Sequence, residues 1–203
     1  MSTELLVFHA VRLAGMARSR AVADRFDLDL AEANEILLDQ QAFGHVTWHA
    51  FGSSAGWSLS AAGRAAGERL LAEELDAADA RTSVERLYER FLPLNGRLRT
   101  AVTNWQIRPE PDDPSAPNRH RDAVWDSAVL AELGGLSRSL RPIDESLAAL
   151  LPRFAGYSER FKRALERAVE GDREWVAGVG IDSCHTVWFE LHEDFLATLG
   201  LAR

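Results

Sequence analysis

The fold is decided by the stretch His45-Val46-Thr47-Trp48-His49-Ala50-Phe51, followed by Gly52-Ser53-Ser54-Ala55-Gly56 and Trp57-Ser58-Leu59-Ser60. The first seven residues are rich in β-branched and aromatic side chains and predict a strand. The five small residues predict a loop, and Trp57 to Ser60 a returning strand, so the segment reads as a hairpin with a five-residue tip. On both sides the period is helical. Upstream, Leu5, Leu6, Phe8, His9, Arg12 and Leu13 predict a helix over Thr3–Ala14 that Gly15 ends. Ser19 is placed to cap a short helix over Arg20–Phe26, with Val22, Ala23 and Phe26 at helical spacing. Asp29 is placed to cap a third helix reaching Ala42, with Ala33, Ile36, Leu37 and Gln40 on one face and Gly44 as the stop. Downstream, Ser60 caps a helix from Ala61 to the region of Asp79.

Three short helices, a hairpin and a helix form the order of a winged helix-turn-helix. The segment Gly56-Trp57-Ser58-Leu59-Ser60-Ala61-Ala62-Gly63-Arg64 resembles the end of the wing in MarR-like regulators. Those commonly carry an aromatic residue, Leu-Thr, two variable residues and Gly-Arg there. Gln41-Ala42-Phe43-Gly44-His45-Val46 resembles the end of their recognition helix where it enters the wing. The resemblance covers residues 3–75 and is more specific for a winged helix than for one family. It implies a transcriptional regulator that binds double-stranded DNA.

From residue 82 onward every segment reads as helix. Thr82 and Glu85 have capping-box spacing and open a helix through Leu87, Phe91, Leu94 and Leu98 to Trp105, with Pro93 as a kink. Residues 108–117 hold four of the seven prolines and read as a surface loop. Helices are expected over 119–139, 144–151 and 158–170, and Asp172 starts a short one. Asp182 is expected to cap the last helix, which runs through Val187, Trp188, Leu191, Phe195 and Leu199 to Gly200. The fold class expected is therefore mainly α: a winged helix domain over 1–80 with one β-hairpin, and an all-α domain over 81–203 for effector binding or dimerisation. The second part is similar to the C-terminal halves of uncharacterised winged-helix regulators, some of which accompany phosphoenolpyruvate-utilising enzymes. That resemblance implies an alternative: an interaction module that binds no DNA and regulates a partner enzyme.

Composition limits the classes. The 203 residues carry 23 Lys and Arg against 31 Asp and Glu, a net charge of −8. A nucleic-acid coat needs clustered cations instead. No apolar run approaches the roughly 20 residues of a membrane span, so no membrane partner is expected. The first residues lack a basic n-region and are interrupted by His9 and Arg12, unlike a signal peptide. The single cysteine, Cys184, excludes an internal disulfide and a Cys-cluster zinc site. The expectation is a cytoplasmic chain without cofactor or metal.

For DNA, Arg18, Arg20 and Arg25 around the second helix and Arg64 after the wing are the candidate phosphate contacts, and Asn34 on the third helix the candidate base reader. Other features oppose this. The outward face of that helix also carries Ala31, Glu35, Leu38 and Asp39, flanked by Glu32, and residues 45–57 contain no Lys or Arg. Residues 1–80 hold 6 Arg against 12 Asp and Glu, net −6. DNA reading and protein contact both stay open.

In the last helix His185, Trp188, Phe189 and His192 share one stripe by spacing. His185 and His192 are about 10.5 Å apart along the axis, too far to share a metal ion. The stripe is predicted to turn inward, against the helix containing Trp105 or that containing Trp125. The alternative is a small-molecule effector pocket, with Trp105, Trp125 and Trp188 as walls and Asn104, Asp182 and His185 as polar points. Cys184, in the first turn of that helix, is a candidate redox thiol, because a helix N-terminus lowers a thiol pKa. No set of residues has the spacing of a catalytic constellation, so no enzyme is expected. The long amphipathic helices point to a homodimer.

Overall fold

The computed structural model describes residues 2–52 and 54–201. The chain is mainly helical, with one two-stranded antiparallel hairpin. It forms two compact units, Met1–Arg81 with Glu193–Arg203, and Thr82–His192.

The first unit begins with helices α1 (Thr3–Ala14), α2 (Ser19–Arg25) and α3 (Leu30–Ala42). Strands β1 (Val46–Phe51) and β2 (Ser54–Leu59) follow, then α4 (Ala61–Ala77). Short polar side chains start the helices by accepting from otherwise unpaired N–H groups. Ser2 Oγ accepts from Leu5 N, Asp29 Oδ1 from Glu32 N, and Ser60 Oγ from Gly63 N. The expected Ser19 cap is not formed. Arg18 holds that position without a side-chain hydrogen bond, because the Ser19 hydroxyl is used elsewhere.

β1 and β2 pair in unbroken register from Val46↔Leu59 to Phe51↔Ser54. The five-residue tip is therefore too long, since Ser54 to Gly56 already belong to the strand. Gly52, at φ 56°, admits the tight reversal; Ser53 lies outside the described residues. Ala17 pairs with Trp57 on the far side of β2, through Ala17 N to Trp57 O at 3.0 Å and Trp57 N to Ala17 O at 2.7 Å.

Two close approaches explain two glycines. A Cβ at Gly56 would lie 2.9 Å from the Ala17 backbone, and one at Gly63 would lie 1.9 Å from the His45 carbonyl oxygen. The His45 carbonyl also accepts from Ser60 N at 2.9 Å, which ties the start of α4 to the start of β1. Gly63→Ala is expected to cost about 1–3 kcal/mol, the range for overpacking a tight site. A urea midpoint equal to that of the unsubstituted protein would show that α4 shifts freely, against this account.

The core of this unit gathers Val7, Ala10 and Val11 of α1, Val22 and Ala23 of α2, Ala33 and Leu37 of α3, and Val46 and Trp57 of the hairpin. A second cluster joins Leu5 and Leu71 to Ala197. Beside it, fully buried His9 and Asp194 meet, Nε2 to Oδ1, at 2.9 Å. Thr198 Oγ1 donates to the same Asp194 oxygen at 3.2 Å, and the His9 ring stacks on Phe26 at 5.9 Å. Arg12 Nε donates to Glu193 at 3.1 Å and its Nη1 to Glu68 at 2.7 Å. Residues 193–201 are thus held by both packing and polar contacts.

The second unit contains α5 (Arg81–Gln106), α6 (Ala123–Leu150), a 3-10 turn at Pro152–Phe154, α7 (Tyr157–Val169) and α8 (Glu174–Ala177). The boundary between the units falls within α9 (Cys184–Leu199). α6 is one helix where the sequence predicts two separated near Pro142. Leu136, Leu140, Ile143 and Leu147 are all buried at helical spacing, so the apolar stripe runs unbroken past the proline. Residues 119–122, expected as helix, belong instead to the preceding loop, and Asp122 caps α6 by accepting from Val124 N and Trp125 N. Among the described residues no helix is long and apolar enough to cross a membrane.

Candidate functional site

The first candidate surface is the exposed side of α3 and the hairpin. Buried Ala33, Leu37 and Gln40 fix the rotation of α3, which leaves Ala31, Glu32, Glu35, Leu38 and Asp39 exposed. Leu38 is 51% exposed, Phe43 at the end of the helix 72% and Phe51 at the end of β1 74%. His49 stacks on Phe51 with ring centroids 6.2 Å apart, and its Nε2 meets Ser58 Oγ at 2.8 Å. His45 Nδ1 meets Gln40 Oε1 at 2.7 Å, while Gln40 Nε2 donates to Glu4. Both histidines are therefore engaged in local hydrogen bonds.

The five DNA candidates fall in different settings. Arg18 and Arg64 are exposed. Arg20 is exposed and lies 3.8 Å from Asp24, one helical turn away. Arg25 lies over the Phe26 ring at 4.6 Å, so its guanidinium is drawn back toward the protein. Asn34 has an internal partner: Trp57 Nε1 donates to Ser19 Oγ at 3.0 Å, and Ser19 Oγ donates to Asn34 Oδ1 at 2.9 Å. This relay joins β2, α2 and α3. Bidentate reading of adenine would need the Asn34 amide oxygen and nitrogen together, and the oxygen is already taken.

The second candidate is a cleft of about 480 Å³ in the helical unit, between α5 and α6. That is within the range of small-molecule sites. Gly96, Ala101, Ala128 and Val129 form an apolar lining, and Asn104 and Trp125, both singled out by the sequence, stand in it. Trp125 is fixed there. Its Nε1 donates to the Asn104 carbonyl at 2.7 Å, and the Arg108 guanidinium lies 5.6 Å from its ring centroid. Arg108 also pairs with Asp122. The backbone N–H of Trp125, joined by that of Val124 and by Arg108, holds the Asp122 carboxyl below its usual range. Sequence reasoning missed the charged pair of the cleft, Arg97 Nε to Glu132 Oε1 at 2.7 Å. On two amphipathic helices such residues read as solvated positions. Only their distance from the buried stripes could have marked them.

The remaining pocket candidates are not gathered into that cleft. Trp105 is buried against the His120 ring at 4.5 Å, and its carbonyl accepts from Asn118. His120, at φ 54°, is locked by Asp126 at 3.0 Å and by its own N–H on Asn118 Oδ1. Trp105 therefore anchors the proline-rich loop. Asp182 belongs to a separate depression of about 390 Å³ with Arg160, Arg163 and Trp175. It pairs with Arg160 at 2.8 Å and does not cap α9; that cap is Ser183, whose Oγ accepts from Thr186 N. Burial disfavours the charge of Arg160, but hydrogen bonds and negative charge from Asp182 and Glu190 raise its pKa above the usual guanidinium value.

Trp188 is 1% exposed and lies between Phe91 at 5.0 Å and Phe161 at 5.5 Å, donating to Asn95 Oδ1. His192 stacks on Tyr88. Both face α5, the helix containing Trp105. His185, by contrast, is exposed. The buried stripe of α9 is Cys184, Val187, Trp188 and Leu191, one residue out of step with the predicted one. Cys184 is not a poised thiol, since burial pushes its pKa up to about 12.

Compared with known proteins, the chain matches no family model, no curated protein and no solved structure.

Proposed function

We propose that the first unit is a winged helix and that the chain is a regulatory protein whose α3 and wing contact protein instead of nucleic acid. The observation that carries this reading is the character of that surface. α3 exposes Glu32, Glu35 and Asp39, and the wing exposes Phe51 and no cation. Three carboxylates facing phosphates oppose the electrostatic attraction that dominates DNA affinity. The winged-helix assignment rests on the element order and on Ala17, which adds a third strand position to the hairpin as the segment between the first two helices of such domains would. The resemblance of residues 41–46 and 56–64 to MarR-like regulators supports the winged-helix part of this reading and not its protein-contact part. In the helical unit the α5–α6 cleft is the proposed effector site, with Asn104 and Trp125 in it.

A second reading, a DNA-binding transcriptional regulator, is favoured by Arg18, Arg20 and Arg64, which are exposed around α2 and just after the wing. A salt series of binding to DNA fragments from around its own gene decides. The protein-contact reading expects no sequence preference and no retention at physiological salt. Tight, sequence-dependent binding would overturn it. In that case Ala at Arg18, Arg20 or Arg64 would make the salt slope shallower by about one unit each.

A further inference from the structure

Two contacts cross the α5–α6 cleft and fix its direction. Arg97 Nε donates to Glu132 Oε1 at 2.7 Å, and the Trp125 indole N–H donates to the Asn104 carbonyl at 2.7 Å. The two helices therefore run antiparallel along the cleft, with a charged end and an aromatic end. Residues 97 to 104 on α5 and 125 to 132 on α6 separate those ends. That is about 10.5 Å along each axis, the length of an extended chain of about eight methylenes. The walls between the ends are apolar, with the small side chain of Ala128 facing the groove.

Just beyond the ion pair both helices lack a side chain. A Cβ at Gly96 of α5 would meet nothing within 4 Å. Over Gly135 of α6 two guanidiniums converge: a Cβ there would lie 3.4 Å from Arg97 Nη2 and 3.9 Å from Arg138 Nη2. Arg97 has Glu132 as its partner, whereas Arg138 makes no hydrogen bond or ion pair among the described residues. Two cations against one carboxylate leave a single positive charge in excess at this end.

We propose that the cleft takes a monocarboxylate with an unbranched hydrocarbon tail, its head over Gly135 between Arg97 and Arg138 and its tail along the groove to Trp125. This rests on the reading of the cleft as the effector site and names the class of its ligand. Charge selects the head. A carboxylate cancels the one excess charge and presents two oxygens to guanidinium forks. An ammonium would add to the excess, and a phosphate monoester, at about −1.5 to −2, would exceed it. Length and shape select the tail. A groove between two antiparallel helices is narrow and straight, a single aromatic ring at the charged end stops short of Trp125, and an extended chain reaches it.

The test is titration calorimetry of the full chain with decanoate, 1-decanol, decyl phosphate and 1-naphthoate. Decanoate is expected to bind at one site per chain, about tenfold tighter than decanol, the margin of a charge-assisted hydrogen bond. Arg138→Ala removes that margin and leaves decanol binding unchanged, a pattern that a general loss of structure does not give. Gly135→Ala, which suits a helix better but fills the place of the head, weakens decanoate alone. Ala128→Phe, at an exposed position facing the groove, abolishes binding of both, with circular dichroism unchanged. Decanol equal to decanoate, decyl phosphate or naphthoate tighter than decanoate, or decanoate unaffected by Arg138→Ala each overturns the ligand class, while blockage by Ala128→Phe still upholds the cleft as the site. Binding that survives Ala128→Phe, or no binding of any of the four probes, overturns the proposal and the cleft reading together.

Discussion

His9→Ala is expected to destabilise the first unit by about 3–5 kcal/mol, the cost of removing one partner of a fully buried polar pair. Asp194 would keep its contact with Thr198 but lose the His9 ring nitrogen at 2.9 Å. The carboxylate would then be enclosed without its main partner. Urea unfolding followed by circular dichroism reads the loss. Replacing both residues, His9→Leu with Asp194→Leu, should recover part of it, because no buried carboxylate is left, although the Thr198 hydroxyl loses its acceptor. A single variant within about 0.5 kcal/mol of the parent, the range of ordinary surface changes, would mean that water reaches Asp194. That would refute the description of the pair as sealed.

Trp188→Ala is the second large effect. The indole is packed by Phe91 and Phe161 and anchored on Asn95, so truncation should cost about 3–5 kcal/mol. His185→Ala, three residues earlier in the same helix, should stay within about 0.5 kcal/mol, because His185 is exposed. The contrast between the two is the informative measurement. If Trp188→Ala melts with an unchanged midpoint, the side chain lines a solvated cavity, and the effector-pocket alternative for Trp188 returns.

The difference between these neighbours shows where sequence reading holds and where it fails. Caps such as Asp29 and Ser60 act on N–H groups three residues away, so they are legible from local order. The hairpin was legible for the same reason, but its tip was not. Small residues at Ser54, Ala55 and Gly56 look like a loop, whereas Gly56 is small because the Ala17 backbone passes 2.9 Å from where its Cβ would be. That approach joins residues far apart in the chain and leaves no local trace. The split of α6 at Pro142 failed in the opposite direction, since a local breaker was outweighed by a continuous buried stripe. In α9 the helix was legible and its rotation was not. An error of one residue turns a helix by about 100°, enough to exchange His185 for Cys184 at the buried face. For the cleft, Asn104 and Trp125 were visible as an amide near the end of one helix and an aromatic near the start of the next. Arg97 and Glu132 were not, because an ion pair between two helices resembles two solvated charges until the helices are placed.

Residues 193–201 have a bearing on biosynthesis. Arg12 and Glu193, which meet in the first unit, are 181 positions apart in the chain. Domains commonly fold in the order in which they leave the ribosome. Here the first unit cannot close its second cluster, or bury His9 against Asp194, until residues 194–197 have been translated. Throughout that interval Leu5 and Leu71 lack Ala197, and α1 has an open flank for chaperones to hold. A message that stops before Glu193 would yield a product whose first eighty residues can gather the Val7–Trp57 core but lack the second cluster and leave His9 without Asp194.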